Sequence, residues 1–192
     1  MRTLKTIVAI CSVVALASCT GTHNRQATPG LPFPKAYPRP NLPDTTLISA
    51  ADTPLHFMVN AEADLSSPRD GWLDINYPTL DATVHVTFTS ADAPQIEAVK
   101  ENRMERLMLN AGDRFTDFKE FSNPAGFNIL TAYTENSSTP LQFLATDNRA
   151  WVVSGVVYFH NPKASTSLDS VKPMIRAINY DLTRALNEMD YR

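Results

Sequence analysis

The chain has 192 residues, 43% of them hydrophobic and 19% charged, with a formal net charge of −3. That length suits one domain plus a tether. The acidic balance lacks the basic patch of a nucleic-acid binder, so no nucleic-acid partner is expected, and two cysteines cannot form a disulfide framework.

The chain starts as a secretory leader does. Arg2 and Lys5 give a short positive start, and Thr6 to Leu16 is almost wholly apolar. That run is about half of the ~20 residues a membrane-spanning helix needs, which reads as a signal peptide. The run ends on Leu16, Ala17, Ser18 and Cys19. An aliphatic residue and two small ones before cysteine form the bacterial lipobox. The Cys19 thiol is expected to take a diacylglycerol, with cleavage before Cys19 and acylation of the new amine. Two or more acyl chains anchor stably where one does not. The alternative is an ordinary signal peptide with an incidental cysteine. Cleavage removes residues 1–18, and with them Cys11, two cations and no acids, so the mature chain is more acidic and has no disulfide.

Residues 19–54 read as a lipidated tether. Pro29, Pro32, Pro34, Pro38, Pro40 and Pro43 exclude a helix or a central strand there and favour an extended spacer. Such a stretch also suits an SH3-type ligand, but beside a lipobox a spacer is the simpler reading.

From residue 55 to 192 the pattern is globular. Leu55–Val59 is a short strand candidate. In "WLDINYP", Leu73, Ile75 and Tyr77 alternate with Trp72, Asp74 and Asn76, and Pro78 ends the run. In "ATVHVTFT", Val84, Val86 and Phe88 face one way and Thr83, His85, Thr87 and Thr89 the other, as in an antiparallel strand buried on one face. A helix follows. Asp92 and Gln95 have capping-box spacing, and Ile96, Val99, Met104, Leu107 and Ala111 share a face that Lys100 and Arg103 interrupt. Gly112 stops the helix.

Three further strands cover Gly126–Thr134, Pro140–Thr146 and Trp151–His160, joined by hairpin turns at "ENSSTP" and "DNRA". The last is apolar on both faces and is expected at the centre of the sheet. Leu168, Val171, Ile175, Ile178, Leu182, Ala185, Leu186 and Met189 then recur at helical spacing, with Asp169 or Ser170 as cap and Pro173 in the first turn. The order βββ-α-βββ-α predicts an α+β fold, a mostly antiparallel sheet covered by two helices and preceded by a Pro-rich tether.

Motif chemistry is sparse. His23, His56, His85 and His160 show no metal-ligand spacing, and HExxH, CxxC, GxSxG and phosphate-loop patterns are absent, so no metal, cofactor or catalytic residue is expected. His85 reads as a solvated strand residue or a base. Asp64, Asp70 and Asp74 read as solvated acids or an acid/base pair. Lys100 and Arg103 either snorkel from an apolar face or contact a partner. The polar face of Asp74, Asn76, His85 and Thr87 is a candidate contact surface.

The segments "WLDINYPTLDATVHVTF", "STPLQFLATDNRAWVVSGVVYFHNP" and "LDSVKPMIRAINYDLTRALNEM" resemble, in that order, the gliding-motility lipoprotein D family (GldD) of Bacteroidetes. Its pattern falls on Tyr77-Pro78, Ala82-Thr83, Pro140 to Phe143 with Thr146-Asp147, Gly155 to Phe159, and Pro173, and covers roughly residues 32–190. The resemblance implies a non-enzymatic envelope lipoprotein serving gliding motility and the type IX secretion machinery it depends on. It implies membrane attachment through acyl chains, a membrane-protein partner and no catalytic residue. In that lineage, the lack of acidic residues just after Cys19 favours the periplasmic side, with inner or outer membrane open. There Asp44-Thr45-Thr46 also fits an O-glycosylation pattern centred on Thr45, and Asp169-Ser170-Val171 fits it where a helix cap is the competing role.

Three functions follow. The first is a lipid-anchored accessory or assembly factor. The alternative is a periplasmic carrier for a lipid or other apolar ligand, which needs an apolar pocket. The third is a hydrolase, which needs a cleft that gathers His85, His160 or Asp74.

Overall fold

The structure is a computed structural model, and it describes residues 46–160 and 168–192. Eleven strands and two α-helices are assigned among these. The frame is a seven-stranded sheet in the order β4-β5-β6-β10-β9-β8-β7, with every neighbouring pair antiparallel. Its strands are β4 (Asp64–Ser66), β5 (Trp72–Tyr77), β6 (Ala82–Ser90), β7 (Thr116–Ser122), β8 (Asn128–Thr134), β9 (Leu141–Thr146) and β10 (Trp151–Phe159). The α+β class holds, and β10 lies at the middle of the seven, where its two apolar faces put it.

Two small ribbons complete the strands. β1 (Leu47–Ser49) pairs with β3 (Met58–Asn60), and β2 (Leu55–His56) pairs with β11 (Asp190–Tyr191). The single strand expected over Leu55–Val59 is therefore split at Phe57, which is fully buried and meets Phe88 edge to face at 5.7 Å. Residues 47–54, Pro-flanked in sequence, already pair and pack here, with Ala50 and Thr53 buried.

Helix α1 (Ala93–Ala111) and helix α2 (Leu168–Asn187) cover opposite faces of the sheet. Alternation decides what each meets. Leu73, Ile75 and Tyr77 of β5, Val84, Val86 and Phe88 of β6, and Val153 and Val157 of β10 point to the α2 side. There they join the buried stripe of Val171, Ile175, Ile178, Leu182, Ala185, Leu186 and Met189. Gly155 stands in this layer because a Cβ there would meet the Phe143 ring at 2.2 Å. On the other face the apolar cluster is small, with Ile96 of α1 against Leu144 and Val152.

Two local expectations differ. Asp92 is the N-cap of α1, but its side chain makes no cap bond; Gln95 N–H donates to the Asp92 carbonyl at 2.7 Å, and Pro94 removes one orphan donor. Pro173 lies inside α2 rather than in its first turn, because Leu168 is already helical, and the ring removes one intrahelical bond. Gly112 ends α1 at φ +60, as expected. The far end of α2 is held by Asn123, whose Nδ2 donates to the Leu186 and Met189 carbonyls at 3.0 and 2.8 Å.

Candidate functional site

The α1 side of the sheet carries the polar chemistry. α1 lies over β9 and β10 and leaves the β5–β6 half of this face bare. Register sets Trp72 beside Thr87, Asp74 beside His85, and Asn76 beside Thr83. His85 Nδ1 lies 2.7 Å from Asp74 Oδ1, and the His85 ring stands edge-on to Tyr158 at 5.6 Å. Asp74 and His85 are thus within hydrogen-bond reach.

His160 belongs to a second group on the same face. Thr83 Oγ1 donates to Asn76 Oδ1 at 3.2 Å, and His160 Nε2 lies 2.8 Å from Thr83 Oγ1. His160 Nδ1 is 3.4 Å from Asp81 Oδ1. With the hydroxyl proton directed at Asn76, this row is a fastening between β5, β6 and the end of β10.

Between α1 and the bare half-face lies a cleft of about 420 Å³. Arg103 and Arg106 of α1 form one wall, and Trp72, His85 and Tyr158 form the other. Arg103 is half-buried and donates from Nη2 to Thr89 Oγ1 at 3.2 Å. Burial, and then the Arg106 charge beside it, hold its guanidinium below the usual range. Arg106 is exposed and has no ion-pair partner among the described residues. Asn110 Nδ2, also in the cleft lining, donates to Gln142 Oε1 at 2.8 Å. Arg69 lies 4.2 Å over the Trp72 ring.

Lys100 and Arg103, paired in the sequence reading, part company here. Arg103 faces the cleft, while Lys100 holds Glu97 at 2.7 Å and lines a groove on the other flank of α1. Cys19, the Leu16-Ala17-Ser18 lipobox and Thr45 lie outside the described residues. Among the described residues, no three His, Cys, Asp or Glu gather as a metal site would need, and no helix is long and apolar enough to cross a membrane. The sequence reading missed Arg106, although it lies one helical step from Arg103 and so on the same face. It also missed the cleft roles of Trp72 and Tyr158, which depend on where α1 crosses the sheet.

The centre of the layer between the sheet and α2 is filled by side chains that include Phe57, Tyr77 and Phe127, and the groove of about 410 Å³ at its β7–β8 edge is lined largely by charged and polar residues such as Asp117, Lys119, Glu135 and Lys172. A polar pair sits within that layer. Tyr77 OH donates to Asp181 Oδ2, with Asn60 alongside. Burial pushes the Asp181 carboxyl up, against the opposing pull of the Tyr77 bond. Burial and the neighbouring Asp181 push the Tyr77 hydroxyl up as well.

Residues 27–191 match the family model "Gliding motility lipoprotein GldD". No curated protein matches the chain. Among solved structures, the solution structure of cyanobacterial PsbP (CyanoP) from Synechocystis sp. PCC 6803 is similar at a TM-score of 0.36 and 10% identity, over 71% of this chain and 89% of that one. That likeness is too weak to inform fold or function.

Proposed function

The chain belongs to the gliding motility lipoprotein GldD family, and from that premise we propose that it is a non-enzymatic accessory or assembly factor of the gliding and type IX secretion machinery. Membership makes it a motility-related lipoprotein of the cell envelope. Beyond that, acyl chains on Cys19 hold it in a membrane on the periplasmic side. The Pro-rich segment spaces the folded body from the surface, and that body acts by touching a membrane-protein partner. The observation that carries this reading is a family match that runs from Ala27 to Tyr191 behind a lipobox ending at Cys19. Asp74 and His85 have the spacing of a base and its orienting acid, but among the described residues no hydroxyl or thiol is hydrogen-bonded to His85, which favours a contact surface over a hydrolytic site.

The test is complementation of a strain that lacks this gene. Wild type restores motility or type IX cargo release, and its tagged form pulls down a membrane protein of that machinery. A form exported by a non-lipoprotein signal, with Cys19→Ala, stays soluble and fails to restore either. Full restoration by the soluble form ends the anchoring half of the proposal, and turnover by the purified protein ends the non-enzymatic half.

A further inference from the structure

The cleft between α1 and the β5–β6 face has a charge balance unlike that of its neighbours. The groove on the Lys100 flank contains Glu120, and the groove between α2 and β7–β8 contains Asp117 and Glu135. The recess at the end of the sheet contains Asp52 and Asp70. The α1 cleft is walled by Arg103, Arg106 and His85 and by no carboxylate, in a chain whose formal charge is −3. Asp74, on the strand beside His85, is engaged by it.

Two guanidiniums three positions apart on one helix repel each other, and one of these is half-buried. Each makes planar, two-pronged contacts with oxyanions. A monoanionic carboxylate neutralises one of them, whereas a phosphate monoester, with a charge of about −1.5 to −2 near neutral pH, answers both. The Thr87 hydroxyl, also on the cleft wall, can donate to a further oxygen. The volume exceeds what a bare phosphate fills and falls within the range of ordinary ligand pockets. Trp72 and Tyr158 offer ring surface to the rest of the molecule.

We propose that this cleft binds a phosphomonoester, with its phosphate on Arg103 and Arg106 and its body against Trp72 and Tyr158. The chemistry is the same whether the ester is a soluble metabolite or a lipid headgroup such as phosphatidic acid. The inference is independent of the accessory role, which can fail while the cleft still binds.

The test uses the full acylated chain anchored in phosphatidylcholine vesicles. With Trp151→Phe, Trp72 is the sole remaining tryptophan and reports on the cleft. Phenyl phosphate gives a saturable change in Trp72 fluorescence, and benzoate binds more weakly. Arg106→Gln, which removes a side chain with no described partner, weakens phenyl phosphate by about tenfold or more, on the scale of one lost charge-assisted contact. Arg103→Gln with Arg106→Gln abolishes binding. Circular dichroism checks that each variant is folded, and Arg106→Gln alone decides the matter if the double variant is not. Vesicles that include phosphatidic acid are compared with vesicles holding equal phosphatidylglycerol, a diester. Competition by phosphatidic acid alone assigns the lipid source, and equal behaviour of the two assigns the soluble one. No saturable change with phenyl phosphate, equal affinity for benzoate, or binding unaltered in Arg106→Gln overturns the proposal.

Discussion

The two faces of the one sheet are built to different ends. The α2 face is closed. Its central strands β5, β6 and β10 send apolar side chains and Tyr77 toward a 20-residue helix, every described residue of the helix's apolar stripe is buried there, and a polar groove with Asp117, Lys119 and Thr131 lies at the β7–β8 edge. The α1 face is half closed. Its small apolar cluster fixes the helix over β9 and β10, and the remainder of the face is polar, aromatic and accessible. Strand alternation makes this division possible, since each residue serves one face without constraining the other. Stability is concentrated on one side, which leaves the other free to carry recognition.

If that division is right, truncating the closed face has the largest effect. Phe57→Ala removes a fully buried ring from between β2 and β3 and its edge contact with Phe88. The expected loss is about 3–5 kcal/mol, read as a lowered urea midpoint. A loss below about 1 kcal/mol would mean that this layer is plastic and that the contrast between the faces is overstated.

What was legible in the sequence follows the same division. Strands and helices facing α2 announce themselves by period, so β5, β6, β8, β9, β10 and the stripe of α2 were readable. β7 was not. Its Phe118 and Phe121 fall on opposite faces, and Asp117, Lys119 and Glu120 with Thr116 and Ser122 fill the rest, a polar edge strand without an apolar side. β1, β4 and β11 are two or three residues long and take their strand character from their partners. The polar face of Asp74, Asn76, His85 and Thr87 was visible as alternation. The cleft was not, because it exists only where Arg103 and Arg106 cross in front of that face. No local pattern states where a helix will cross a sheet.

A buried carboxyl within the α2-side layer sharpens the comparison. Asp181 is 2% exposed, and burial raises its carboxyl above the ordinary aspartate range, in spite of the bonds from Tyr77 and Asn60 and the charge of Arg184. A group whose proton is held more tightly in the folded chain contributes stability below its unfolded pKa and loses it as pH rises through the folded one. Asp181→Asn keeps an acceptor for Tyr77 and cannot ionise. Its urea midpoint relative to wild type should therefore rise steadily from acidic to neutral pH. A difference that is flat with pH would show that the carboxylate is accommodated as easily here as on the open face.

The smallest effect belongs to the open face. His85 and Asp74 make a short contact, but their side chains retain 44% and 24% exposure, and solvent screens such pairs. His85→Ala also removes the edge contact with Tyr158, a surface residue itself. The expected cost is about 0.2–1 kcal/mol, against several for Phe57→Ala in the same unfolding assay. The two numbers together test the division, since a sheet with equal roles for its faces would show comparable losses. A cost for His85→Ala near that of Phe57→Ala would mean that the Asp74–His85–Tyr158 group holds the fold together. The open face would then be a second core, with little freedom to serve a ligand or a partner.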